Sequence, residues 1–257
     1  MEGTIVCVDL VKKFKLSKKQ QKLDKAPSNI KVAVDGLSFT AYKGEIYGLL
    51  GPNGAGKTTT LRCMSTLISP TEGDIMVDGI SVKKQPVEVR KRIAFLTSEL
   101  KLEEFFTPNY MFDYYSRLHN VDEEEIAQRR KYLFEKFGID KFQEVKIGNL
   151  STGMKQKTSL AVSLAHNPDI IIFDEPTNGL DVLTAKIVTD FLLELKEQGK
   201  TIIVSTHIFS LIEKICDRVG IIINGKMIKE DTLDNIKQGR SLEDVFFDIY
   251  KETVGEE

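Results

Sequence analysis

Residues 51–58 read GPNGAGKT, directly after the apolar run IYGLL and directly before a helical stretch, TTTLRCMSTL, that begins on the last residue of the motif. This is the spacing G-x-x-x-x-G-K-[ST] at a strand-to-helix junction, and it decides the fold. Gly51, Gly54 and Gly56 lack a Cβ, so a ligand can approach the main chain closely. The loop turns its N–H groups inward as a cradle for phosphate oxygens, and the helix starting near Lys57 adds the positive end of its dipole. Lys57 can reach the β and γ phosphates, and Thr58 offers a hydroxyl to Mg²⁺. A glycine turn that merely closed a β-α junction would have no need of Lys and Thr at those offsets. A nucleoside triphosphate is therefore expected here, in an α/β fold.

The chain has 257 residues, enough for one elaborated domain or two closely joined lobes. Lys plus Arg number 36 and Asp plus Glu 38, a net charge of -2 that gives no general attraction for nucleic acid, so no nucleic-acid partner is expected. No apolar run is long enough to cross a bilayer, and MEGTIVCVDLVKKF lacks the form of a secretion signal, which points to a cytosolic protein. Cys7, Cys63 and Cys216 are far apart and flanked by apolar residues, so they read as buried thiols rather than metal ligands.

TIVCVDLVKKF and VAVDGLSFTAY read as strands. Between them lies KKFKLSKKQQKLDKAPSNIK, residues 12–31, with eight lysines and one acid. It reads as an exposed hairpin or loop: a solvated face first, a contact for lipid headgroups or an acidic partner second. From 98 to 165 the pattern becomes helical, in NYMFDYYSRLH, VDEEEIAQRRKYLFEKFGI and TGMKQKTSLAVSLAH. The aromatics of FFTPNYMFDYY read as the core of that helical subdomain, with a contact surface as the alternative. Strands return at DIIIFD, TIIVSTH and RVGIIIN with LTAKIVTDFLLELKEQG between the first two, which predicts a parallel sheet covered by helices.

The run IIIFDE ends in two consecutive acids at the carboxyl end of a central strand, where open α/β sheets bind their ligands. Asp174 can hold Mg²⁺, through water, and Glu175 can orient or deprotonate an attacking water. TIIVSTH ends in Ser205, Thr206 and His207; His207 falls where a γ-phosphate and its water could be touched. His119 and His166 read as structural or exposed. In LSTGMKQKTSLAVSLAHNP, Ser151 and the N–H groups near Gly153 form a second helix start able to receive phosphate. Two such surfaces serve one γ-phosphate only if the second moves far or belongs to a neighbour, and two chains arranged head to tail would satisfy the geometry.

Taken in order, these segments resemble the ATP-binding subunit of an ABC transporter. GPNGAGKT is similar to Walker A, IIIFDEP to Walker B, LSTGM to the family signature LSGGQ, NGLD at 178–181 to the D-loop and His207 to the switch histidine, and the likeness spans residues 4–250. The resemblance implies a P-loop nucleotide-binding domain over 1–257 with a RecA-like core, an antiparallel β subdomain and a helical subdomain at 98–165. It implies ATP and Mg²⁺ as cofactors. Phe14 would stack on adenine. Gly51, Asn53, Gly54, Gly56, Lys57, Thr58 and Thr59 would hold phosphates and Mg²⁺, with Asp174 as the second metal contact. Lys57, Glu175 and His207 would carry hydrolysis. Ser151 and Gly153 would face the opposite chain's nucleotide and Asp181 the dimer seam.

That family also implies two partners, a second nucleotide-binding domain, here the same chain, and separate transmembrane permease subunits at whose cytoplasmic side the protein would sit peripherally. The sequence departs from the pattern at Ser98, where a glutamine is usual and where Glu99 is the nearest long polar residue, and at Thr152 and Met154 within the signature. RIAFLTSELKLEEFFTP resembles bacterial exporter ATPases, including the sodium-efflux group. Export by ATP hydrolysis is the function implied. The alternative is a soluble ATPase of the same type acting on ribosomes or chromosomes, although the tandem domains or long coiled coil of those proteins have no counterpart here.

Overall fold

In the computed structural model, residues 3–23, 28–97 and 102–255 are described. Ser98 and Glu99, the two candidates for the missing glutamine, lie outside the described residues.

A six-stranded sheet forms the centre. Its strands are β3 (Ile46–Leu50), β6 (Ile93–Thr97), β7 (Ile170–Asp174), β8 (Thr201–Thr206), β9 (Arg218–Ile223) and β10 (Lys226–Thr232), in the order β10-β9-β3-β8-β7-β6. All neighbours run parallel except the β9–β10 hairpin. The continuous apolar runs of β7 and β8 follow from burial on both faces. Ile170 and Ile172 of β7 enter one hydrophobic cluster while Ile171 and Phe173 enter the other. Period-2 alternation thus serves two cores at once.

The first of those cores is closed by a second, antiparallel sheet: β1 (Gly3–Lys15), β2 (Ile30–Tyr42), β4 (Glu72–Val77) and β5 (Ile80–Ser81), ordered β2-β1-β4-β5. Between the two sheets lies α2 (Lys57–Met64), with Leu61, Cys63 and Met64 fully buried. The lysine-rich segment is a hairpin. β1 and β2 pair out to Lys15↔Ile30, with α1 (Lys18–Leu23) beyond the last rung and Lys18, Lys19 and Lys22 exposed.

The second core is shared with the helices α4 (Pro108–Leu118), α5 (Glu123–Phe137) and α6 (Thr152–Ser163), together with α7 (Val182–Glu197). Thr107 caps α4 by accepting from the Tyr110 N–H, with Pro108 at the first helical position. α5 ends at Gly138 in the left-handed conformation. Phe112 packs edge-on against Phe134, and Phe137 edge-on against Phe191 of α7, tying the helices to the sheet layer. The aromatics of 105–115 divide between both readings: Phe112 is fully buried, whereas Phe105 is 80% exposed and Tyr110 and Tyr114 are about half exposed. α8 (Phe209–Ile215), α9 (Leu233–Lys237) and α10 (Leu242–Val254) add to this second core, and the short α3 (Pro86–Arg90) precedes β6. The three cysteines are buried and free, as expected, and burial pushes the Cys63 thiol up to about 11.

Candidate functional site

The phosphate loop leaves β3 and enters α2 under two steric constraints. A Cβ on Gly51 would stand 2.2 Å from the Ile222 carbonyl oxygen, so only glycine fits against β9. Gly56 has φ 106 and a Cβ there would meet Ala33 O at 2.5 Å. The loop is braced from outside by the Asn224–Gly225 turn, both residues at positive φ, whose Gly225 N–H donates to Ala55 O at 2.9 Å.

Lys57 is only 6% exposed, and its ammonium donates to Gly51 O at 2.7 Å and Pro52 O at 3.2 Å. It lies 3.9 Å from Glu175 Oε1. Burial pulls the Lys57 ammonium below the ordinary lysine value, while Glu175 and Asp174 act in the opposite direction. The cation is thus curled over the loop, against the carbonyls that line it.

The acids sit where β7 ends beside β8. In register, Asp174 faces Ser205, and the Glu175 N–H continues the ladder to Ser205 O at 2.9 Å. Asp174 Oδ1 accepts from the Thr58 hydroxyl at 3.1 Å and from the Ser205 hydroxyl. Glu175, at φ 53, accepts from the Thr206 hydroxyl on Oε2 at 3.1 Å and lies 3.0 Å from His207 Nδ1 through Oε1. An ionised carboxylate only accepts, so this contact puts the imidazole proton on Nδ1.

These groups open on one cleft of about 1030 Å³. Asn53, Gly54, Gly56, Lys57, Thr58, Thr59, Glu175 and His207 line it, together with Phe14, Lys15, Lys31 and Val32 from the hairpin. Phe14 is 37% exposed, with the Lys12 ammonium 5.1 Å from its ring centre, so it is a surface aromatic at the mouth of the cleft and not part of the core. Gly51 lies behind the loop and Asp174 beneath Thr58.

Ser151, Gly153 and Asp181 are absent from the lining of this cleft. Ser151 caps α6, accepting from the Met154 N–H at 3.3 Å, and a Cβ on Gly153 would meet nothing within 4 Å. Asp181 caps α7, accepting from Leu183 N and Thr184 N at 3.0 Å each; its bond from the Thr184 hydroxyl leads the contacts holding its carboxyl below the usual range. The next two residues, Val182 and Leu183, are 85% and 75% exposed.

Sequence reasoning passed over several cleft residues. Lys31 becomes a wall only because the hairpin register sets it opposite Phe14. The Asn-Gly turn at 224–225 carries a legible hairpin signal, but nothing local says that it braces the phosphate loop. His119 and His166 stack with ring centres 3.8 Å apart outside the cleft, and burial lowers His166 to about 4. Among the described residues no cluster of three or more His, Cys, Asp or Glu is arranged to hold a metal ion.

A phosphate loop leaving β3 of a largely parallel sheet, with the acids Asp174 and Glu175 at the end of β7 on the far side of β8, defines a P-loop nucleoside triphosphatase. More narrowly, the ABC transporter family profile matches residues 34–178. ABC transporter ATP-binding protein NatA of Bacillus subtilis is 40% identical over 214 residues, covering 83% of this chain and 87% of that protein. Nod factor export ATP-binding protein I of Burkholderia lata is 37% identical over 200 residues, 78% of this chain and 66% of its own length. Among solved structures, an ATP-binding subunit of an ABC transporter superposes with TM-score 0.85 at 26% identity, covering 96% of this chain and 100% of that one. The dimeric bacterial ABC transporter cassette MJ0796 gives 0.78 at 26%, covering 89% and 98%.

The chain belongs to the ABC transporter family and is an ATP-binding subunit with a RecA-like P-loop core, an antiparallel sheet and a helical subdomain. It hydrolyses ATP in support of transport. Family membership puts it peripherally at the cytoplasmic face of the membrane. Among the described residues no helix is long and apolar enough to cross a bilayer.

Proposed function

We propose that this chain is the motor of an exporter and that two copies of it close on two ATP molecules. The observation that carries the reading is the division of the site: Lys57, Thr58, Glu175 and His207 share one cleft, while Ser151 and Gly153 at the start of α6 are not among its lining residues. A helix start of this kind attracts phosphate, and a second copy supplies the phosphate. The exposed Val182 and Leu183 beside Asp181 give the seam an apolar contact. Export draws its support from relatives such as the Nod factor export protein, and the transported molecule would touch the permease rather than this chain.

Within the cleft Phe14 stacks on adenine, and Gly51, Asn53, Gly54, Gly56 and Thr59 shape the phosphate cradle. Thr58 and Asp174 offer the hydroxyl and carboxylate oxygens that Mg²⁺ takes, and the bound ion would neutralise charge on the β and γ oxygens. Lys57 swings from the Gly51 and Pro52 carbonyls to the phosphates. Glu175 accepts the proton of the attacking water, and His207, bonded to Glu175, reaches the γ-phosphate. Helices over 98–165 form the lobe that carries Ser151 to its partner, and Ser98 or Glu99 stands in for the usual glutamine.

The test is Lys57→Ala, measured by equilibrium Mg-ATP binding and by phosphate release. Removing the cation beside the clustered phosphate charge should cost about 2–3 kcal/mol, weakening binding or turnover by on the order of 100-fold. Unchanged binding and turnover would remove Lys57 from the site.

A further inference from the structure

Two hydroxyls at the end of β8 have no part in the proposed function so far. Ser205 and Thr206 are both 0% exposed, yet each ends on one of the two acids: Ser205 on Asp174 and Thr206 on Glu175. We propose that Thr206 is a positioning residue for hydrolysis, fixing the carboxylate of Glu175 for the attacking water; this rests on Glu175 acting as the base.

The Ile208 N–H donates to Thr206 Oγ1 at 3.1 Å and occupies an acceptor site of that oxygen. A hydroxyl has one proton, and Glu175 Oε2 at 3.1 Å receives it. Thr206 is also β-branched and in a strand, so its side chain has little rotamer freedom to direct that proton elsewhere.

Glu175 consequently is held by β8 and the residue after it at three points: its N–H by Ser205 O, Oε2 by Thr206, and Oε1 by His207. Two bonds on the two carboxylate oxygens fix the plane of the group as well as its position. The backbone needs this hold, because a non-glycine residue at φ 53 is intrinsically disfavoured. Thr206 is not among the residues lining the cleft, so its effect on chemistry passes through Glu175. Its loss should lower turnover and spare nucleotide binding, since misplacing a reacting group by about 1 Å can cost on the order of 100-fold in rate.

The experiment compares Thr206→Val, Thr206→Ser and Thr206→Ala in the full-length chain, reading kcat and KM for Mg-ATP beside equilibrium ATP binding and thermal unfolding. Thr206→Val keeps the shape and removes the hydroxyl; kcat should fall by about 10- to 100-fold with KM within about 2-fold of wild type. Thr206→Ser retains the hydroxyl and should recover kcat to within about 3-fold, which a purely structural role for the methyl group would not allow. Should Thr206→Val fail to fold, Thr206→Ala takes its place with the same expectation. In a Glu175→Gln background Thr206→Val should cause no further loss, because the two residues act as one unit. Wild-type kcat in Thr206→Val, or a serine variant as slow as the valine variant in a folded chain, overturns the proposal. If Glu175→Gln alone hydrolyses ATP at the wild-type rate, the assignment of the base is wrong and the inference falls with it; slow Glu175→Gln with fast Thr206→Val sinks the inference alone.

Discussion

Two glycines separate what the site does within one chain from what it does for another. Gly56 is locked by its own chain, with φ 106 and Ala33 O where a Cβ would go, so Gly56→Ala should strain the loop by about 1–3 kcal/mol and abolish nucleotide binding. Gly153 lies in α6 with open space where its Cβ would be. Gly153→Ala, in the first turn of α6, should leave stability unchanged or raise it by at most about 0.5 kcal/mol, and should leave ATP binding by the single chain intact. On the proposed two-copy reading its ATPase activity should nevertheless fall, because the added methyl would stand where the partner's nucleotide arrives. Thermal unfolding, ATP binding and phosphate release on both variants check the pair. Equal loss of ATP binding in both would mean that Gly153 serves its own cleft. At this scale the sequence was highly legible: Lys57, Thr58, Asp174, Glu175 and His207 are recognisable by type and offset, and the fold gathers them. Thr206 was not, because its role depends on the register of β8 against β7, which no local pattern states.

In the central sheet, strands that bury both faces announced themselves, and the two edge strands, β10 and β6, did not. IIIFD and TIIVST read as strands because their apolar runs are unbroken. β10, KMIKEDT, is an edge strand with mostly half-buried side chains, so its charges mask its period. β6, IAFLT, was absorbed into the segment that runs toward Ser98, and β4, EGDIMV, carries only a weak alternation. The packing of α6 against β6 likewise explains His166, whose Nε2–H reaches Ile93 O at 3.1 Å while its ring stacks on His119. Burial holds His166 near a pKa of about 4, below the ordinary value of 6.5 that it regains on unfolding. Between those values the unfolded chain binds the extra proton, so stability is full above pH 6.5 and is lost as pH falls toward 4. The loss from this group should be on the order of 3 kcal/mol. Denaturant unfolding from pH 7 to 4 should show His166→Gln, which keeps an N–H for Ile93 O, with a shallower decline than wild type. Parallel declines would assign the acid sensitivity to other groups.

Seen whole, the molecule presents a cleft lined by Lys57, Thr58, Glu175 and His207 and, outside that lining, a helix start at Ser151 with Val182 and Leu183 exposed at the start of α7, which the proposed function reads as two half-sites. A half-site is useful only in a pair, and the pair would close on ATP and reopen after hydrolysis. Glu175→Gln is the variant that isolates closure. It keeps the volume of the side chain and leaves Lys57, Thr58 and Asp174 to hold Mg-ATP, while removing the carboxylate proposed to accept the proton. The mass of this variant in solution, with and without saturating Mg-ATP, tests the two-copy motor most directly. The expected result is a monomer that becomes a dimer on adding Mg-ATP, and a Glu175→Gln/Ser151→Arg chain that stays monomeric because bulk and charge fill the seam. A Glu175→Gln chain that binds Mg-ATP and remains a monomer, or one whose dimer survives Ser151→Arg, would contradict it.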